Sequence, residues 1–163
     1  MTKKSYYRTL VGEMKITAQE EYGLRCLLQL ARAPRHQVVS VKDIAAKEGL
    51  SSAYAEKLLR LLAKSGLVHS VRGVKGGYVM NRPASSVTLG EVVRALGSVQ
   101  MGKNICHVFT GKEAACVHFR DCGIRSVWSG LMASIQNFMD QTTLDHILED
   151  EYAVSERLTK RVL

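Results

Sequence analysis

No run of apolar residues in this chain approaches the roughly 20 that a membrane-spanning helix needs. The opening stretch, MTKKSYYRTLVGE, carries Lys3, Lys4 and Arg8 with no apolar segment behind them, so it does not read as a secretory signal. A cytoplasmic protein is expected, with no membrane among its partners. In that compartment thiols stay reduced, and clustered cysteines point to metal or redox chemistry rather than structural disulfides. The chain also lacks internal repeats and low-complexity segments. It has no Cys-x-x-Cys pair on a strand-helix scaffold, which weighs against a thiol-redox enzyme and leaves a non-enzyme as the expectation. One further absence is local: between Lys57 and Arg82 there are six basic residues and no acid.

What is present is enough for about one domain. The chain has 163 residues, 46% of them apolar, so a real core is affordable. The net charge is +8 and the pI about 9.5, a balance that favours polyanions, nucleic acid first. Residues 1–13 read as a polar extension. ITAQEEYGLRCLLQLARA (16–33) then has Leu24, Leu27, Leu28 and Ala31 at helical spacing. Thr17 and Glu20 form a capping box ahead of them, and Pro34 stops the helix. SVKDIAAKEGL is a short helix capped by Ser40 and ended at Gly49. SSAYAEKLLRLLAKSGL is a longer one capped by Ser51 or Ser52 and ended at Gly66. Short helix, tight turn and longer helix make a helix-turn-helix. VHSVRGVKGGYVM follows at once as a β-hairpin with a basic, glycine-rich tip. TLGEVVRALG (88–97) is a further helix capped by Thr88. IRSVWSGLMASIQNFMDQ (124–141) is a long amphipathic helix with Val127, Leu131, Ile135 and Phe138 along one side. TTLDHILEDEY gives a last short helix before a polar tail.

A basic helix after a tight turn, followed by a basic hairpin, is the layout of a winged helix, whose second helix enters the major groove while the wing touches backbone or minor groove. Lys57, Arg60 and Lys64 share one helix face at i, i+3, i+7, with Leu58, Leu61 and Leu62 directed to a core. Ser51, Ser52 and Tyr54 stand at the N-terminal end, suited to phosphate and base edges. On the hairpin, Arg72 can fork onto guanine or enter a minor groove, and Lys75 adds charge. Gly76 and Gly77 permit a close backbone approach or a turn at positive φ. The plainer alternative is a solvated basic face.

Three of the four cysteines lie in CHVFTGKEAACVHFRDC (106–122), where the composition predicts less than half of one. Cys106, Cys116 and Cys122 are nine and five residues apart. These gaps are wide for structural zinc, even with His107 or His118 added, and they match no ferredoxin spacing. Small buried hydrophobes are the bland reading, and it suits Cys26 on its apolar helix better than thiols among Lys112, Arg120 and Asp121.

From Met14 to about Leu148 the sequence resembles the IscR/NsrR (BadM/Rrf) family of bacterial winged-helix transcription regulators. The stretches that carry the likeness are MKITAQEEYGLRCLLQLA, VKDIAAKEGLSSAYAEKLLRLLAKSGLVHSVRGVKGGY, TLGEVVRAL and the three-cysteine loop. The wing LVHSVRGVKGGY, closing on Tyr78, is the most specific. The resemblance implies a mainly α fold: extension 1–13, winged helix-turn-helix 14–97, cluster loop 98–123, dimerisation helix region 124–148 and tail 149–163. It implies a homodimer on a palindromic double-stranded operator, with Tyr54, Glu56 and Arg72 contacting bases. It implies an iron–sulfur cluster, 2Fe–2S or 4Fe–4S, on Cys106, Cys116 and Cys122, and a repressor that senses redox, nitric oxide or iron–sulfur status. Some members supply a fourth ligand as a histidine three residues past the third cysteine, but Arg125 stands there and cannot ligate. Others use an acid of the partner subunit's first helix, and Glu21 matches that position, with His107 and His118 as competitors. A cluster-free regulator of the same fold, controlled by a thiol switch or a protein partner, is the alternative.

Overall fold

The computed structural model describes residues 16–97, 110 and 112–162. Cys106, His107, half of the expected loop (98–109 and 111) and the 1–13 extension lie outside them. Two compact units are present. The first contains residues 16–81 and 95–97, and the second contains 82–94 with the described residues from 110 onward.

The first unit is built on α1 (Ala18–Arg32), α2 (Val41–Glu48) and α3 (Ser52–Lys64), followed by the antiparallel pair β1 (Val68–Val71) and β2 (Gly77–Met80). Each helix begins where a side-chain oxygen satisfies an orphan amide. Thr17 and Glu20 make the full capping box, Ser40 accepts from Asp43 N, and Ser51 from Tyr54 N. Gly49 ends α2 in the left-handed region at φ 67°, the conformation glycine adopts without a Cβ penalty.

The apolar stripe of α1 is rotated from the expected one. Glu20, Gly23, Cys26, Leu27, Leu28 and Leu30 are buried, while Leu24 and Ala31 are half-buried. On α3 the core residues are Leu58, Leu59 and Leu62, with Leu61 only half-buried. Each fully buried leucine contributes on the order of 2 kcal/mol. Gly23 packs so closely on Leu96 that a Cβ there would stand 2.4 Å from its Cδ2. The wing is tied down twice. Val39 and Tyr78 exchange backbone hydrogen bonds of 3.0 and 2.9 Å, and Asn81 Nδ2 donates to Gly66 O at 2.8 Å.

The second unit holds the turn Ala84–Ser86, α4 (Leu89–Ala95, of which residue 95 belongs to the first unit), α5 (Gly123–Gln141), α6 (Leu144–Leu148) and α7 (Glu151–Val162). Val87, Val92 and Leu144 are fully buried. Leu144 N donates to Val87 O at 2.9 Å and Leu89 N to Thr142 O at 2.7 Å. Arg94 pairs with Asp140 at 2.9 Å, over a Gly90 whose missing side chain leaves room for that carboxylate. The expected polar tail is a helix instead. Asp150 caps it by accepting from Ala153 N at 2.9 Å, and ion pairs Lys160–Glu156 and Arg157–Glu149 brace it. Val154 and Leu158, one turn apart, give it a half-buried side that the charge-rich composition concealed.

Candidate nucleic-acid interface and cysteine loop

The basic residues expected to meet DNA all fall in the first unit. Lys57, Arg60 and Lys64 are exposed on α3, and Arg72 and Lys75 are exposed in the turn between the strands. Ser52 is exposed. Ser51 is exposed too, but its hydroxyl oxygen is engaged as the α3 cap at 3.2 Å from Tyr54 N. Glu56 holds Arg60 at 2.7 Å, which raises the guanidinium pKa above its ordinary value. Any base contact by Glu56 must therefore compete with an i, i+4 ion pair in hand.

Tyr78 is buried, 6% exposed. The wing's turn differs from the expected one at its glycines. Gly76 and Gly77 do not have positive φ; in this turn only Gly73 does, at 119°. A Cβ on Gly76 would stand 2.7 Å from Val71 O and 2.8 Å from Gly73 O, and one on Gly77 would collide with Val39 O. Close packing of the protein's own backbone thus accounts for both glycines.

Two residues passed over in the sequence belong to this surface. Tyr22 meets Tyr54 edge to face, with ring centroids 6.2 Å apart and planes at 79°. Arg25 lies 5.3 Å over the Tyr22 ring, donates from Nε to Glu48 at 2.7 Å and also reaches Glu48 O at 3.2 Å. Gln29 bonds the other Glu48 oxygen. Tyr54 is thereby backed by a chain of contacts running through α1 to the end of α2. The signal was in the sequence only as Tyr22 and Arg25 at i, i+3, a spacing that names no partner.

The cysteines divide by environment. Cys26 is fully buried and desolvation pushes its thiol pKa up to about 11, as the bland reading expects. Cys116 and Cys122 are half-buried free thiols in the second unit. Cys122 is the N-cap of α5, its Sγ accepting from Arg125 N at 3.4 Å. Arg125 itself is committed elsewhere: it donates to Phe119 O at 2.9 Å and lies 5.8 Å over that ring. Among the described residues no three His, Cys, Asp or Glu side chains gather into a metal-holding group. Glu21 is exposed on the first turn of α1, in the other unit, and His118 is exposed in the loop.

Comparison with known proteins decides the family. The model of the family Rrf2, described as an iron-dependent transcriptional regulator, matches residues 16–150. This chain belongs to the Rrf2 family of transcriptional regulators. Among Rrf2 relatives, the protein rrf2 of Nitratidesulfovibrio vulgaris is 32% identical over 84% of this chain and 89% of its own. The solved structure of T. potens IscR superposes with a TM-score of 0.65 at 31% identity, covering 83% of this chain and 87% of that one. CymR, the global cysteine regulator of B. subtilis, gives a TM-score of 0.67 at 28% identity, covering 82% and 95%. The winged-helix fold expected from the sequence is that of these Rrf2 regulators.

Proposed function

We propose that this Rrf2 regulator is a cytoplasmic homodimer that binds a palindromic operator, probing bases with Tyr54, Glu56 and Arg72 and phosphates with Lys57, Arg60, Lys64 and Lys75. Cys106, Cys116 and Cys122 hold an iron–sulfur cluster, with Glu21 of the partner subunit as the fourth ligand. The observation that carries the cluster reading is the seat of Cys122. Its sulfur caps the N-terminus of α5 and accepts the Arg125 amide hydrogen bond, and a sulfur presented at a helix start suits a soft metal. When bound, the group would supply a charge and redox state that external oxidants or nitric oxide can change. The chain's own residues hold it and transmit its state as a bias on operator affinity. The dimer is supported by α5, none of whose 19 residues is buried in the single chain. Ile124, Val127 and Trp128 are 66, 69 and 44% exposed on it. Absence of enzymatic activity fits a family of regulators, and among the described residues no helix is long and apolar enough to cross a membrane.

The deciding experiment is a visible absorption spectrum of protein purified without oxygen, with operator binding measured on the same sample. A brown chromophore lost on Cys106→Ala, Cys116→Ala or Cys122→Ala is expected. A colourless protein that still binds its operator would overturn the cluster. It would favour the thiol-switch reading, which the free Cys116 and Cys122 thiols and the likeness to CymR also support.

A further inference from the structure

Glu48 is an acid where elementary electrostatics argues against one. It is the last residue of α2, at the negative pole of the helix, and its side chain is only 7% exposed. Burial and dipole both disfavour a carboxylate there. Two donors from α1 retain it. Arg25 Nε bonds one oxygen at 2.7 Å, and the Gln29 amide bonds the other. Arg25 also donates to the Glu48 carbonyl at 3.2 Å. In return the carboxylate fixes a guanidinium side chain that is 41% exposed and otherwise free to turn in solvent. So fixed, the guanidinium stands 5.3 Å over the Tyr22 ring, and Tyr22 meets Tyr54 edge to face. All of these residues lie in the first unit. Tyr54 ends the chain of contacts. It is half-buried near the start of α3, and among the described residues its hydroxyl makes no hydrogen bond. A braced ring thus carries an unengaged hydroxyl.

We propose that Arg25 and Glu48 are positioning residues for operator recognition, holding the Tyr54 ring through Tyr22 in the pose that meets a base. The inference rests on the reading of Tyr54 as a base-contacting residue. A side chain ordered only on binding costs free energy that a pre-set one does not. That advantage is realised only where the pose finds its base. Non-specific DNA is held through phosphates, so the pose of Tyr54 matters little there. The brace therefore raises preference for the operator and leaves general DNA affinity alone. Arg25 acting as a direct phosphate contact makes the opposite forecast. Its loss would then weaken every sequence alike and lower the salt slope by about one. Neither Arg25 nor Glu48 belongs to the basic face of α3 or to the wing, so neither is needed for the phosphate contacts assigned there.

The test is a double-mutant cycle on the full-length protein. Its probes are a duplex that the wild type selects from a randomised palindromic library and a scrambled duplex of the same length, each titrated over a salt series. Arg25→Leu is combined with Glu48→Gln, because removing the cation alone would strand a buried carboxylate. The pair should bind the selected duplex about five- to tenfold more weakly, the scale of coupling between side chains in contact. Binding to the scrambled duplex and the salt slope should stay as in the wild type. In a Tyr54→Ala background the same pair should cause no further loss, since the residue it positions is gone. In DNA-free protein the pair should shift the ring resonances of labelled Tyr54. If circular dichroism shows the pair unfolded, Tyr22→Leu, which cuts the chain between Arg25 and Tyr54, is read by the same cycle. Undiminished loss in the Tyr54→Ala background, or equal loss on both duplexes with a reduced salt slope, overturns the proposal. Tyr54→Ala that keeps its operator preference sinks the base reading itself. If Tyr54→Ala loses that preference and the pair does not, only the positioning role fails.

Discussion

Cysteine is the residue type that separates structure from chemistry most sharply in this chain. Cys26 packs among leucines with its thiol pKa pushed to about 11, so it stays protonated near neutrality. Because the folded value is raised, the stability it contributes is full below the ordinary cysteine pKa of about 8.5 and is lost as pH climbs toward 11. Alkylation with iodoacetamide at pH 7.5 (about one unit below that ordinary value) should modify Cys116 and Cys122 readily in apo protein and leave Cys26 intact. Peptide mapping reads the outcome, and early labelling of Cys26 would contradict the core assignment. Cys26→Ala should likewise keep any chromophore, at a cost of about 1–2 kcal/mol in stability. The contrast was legible in the sequence, since Cys26 sits on an apolar stripe and the other thiols sit among charges. The role of Cys122 as a helix cap was not, because a sulfur acceptor lies outside the Ser, Thr, Asp and Asn set by which caps are recognised.

At the scale of elements, helices announced by side-chain caps were readable almost to the residue: Thr17, Ser40 and Ser51 each mark a start. The faces were less so. Period alone favoured Leu24 and Leu61, yet packing chose Cys26 and Leu59, because the buried side depends on which neighbours arrive. The wing's glycines were also misjudged, as their need comes from the Val39, Val71 and Gly73 backbone rather than from a positive φ of their own.

Two predictions belong at this scale. Arg72→Ala is expected to cost about 1–3 kcal/mol of operator affinity and relax preference at one base pair per half-site. Lys64→Ala should weaken all sequences nearly alike and lower the salt dependence. Binding measured on a mismatch series separates the two, and identical uniform losses would remove Arg72 as a base reader. The α4 cap gives the second. Partial burial works to raise the Glu91 carboxyl, but hydrogen bonds from Thr88 N and Arg82 outweigh it and set its pKa below the ordinary value. Stability from Glu91 is therefore present above about pH 4.3 and lost as pH falls through the lowered folded value. Glu91→Gln should flatten that acid limb of a melting-temperature profile. An unchanged limb would show that the cap carries no such linkage.

For the whole molecule, the most informative feature is what α5 leaves uncovered. A lone chain exposing Ile124, Val127, Trp128, Leu131 and Phe138 along one helix presents an apolar stripe that favours a partner surface. Sedimentation at micromolar concentration should give a dimer. Leu131→Glu should shift it toward monomer and weaken operator binding by at least tenfold, since half-sites one helical turn apart then lose their tether. A wild-type monomer at that concentration would contradict this reading of α5. The sequence showed the stripe but not its exposure, which only a folded chain can reveal.

Cys122 joins these scales in a single atom. The sulfur that a metal would claim is the same one that receives the Arg125 amide proton at the head of α5. A ligated or oxidised sulfur has different lone-pair density to offer that proton, so the first turn of the helix is fastened with a clasp of variable grip. The Arg125 amide is then a built-in gauge. Its hydrogen exchange should slow or quicken with the chemical state of one thiol, before any operator is present to report it.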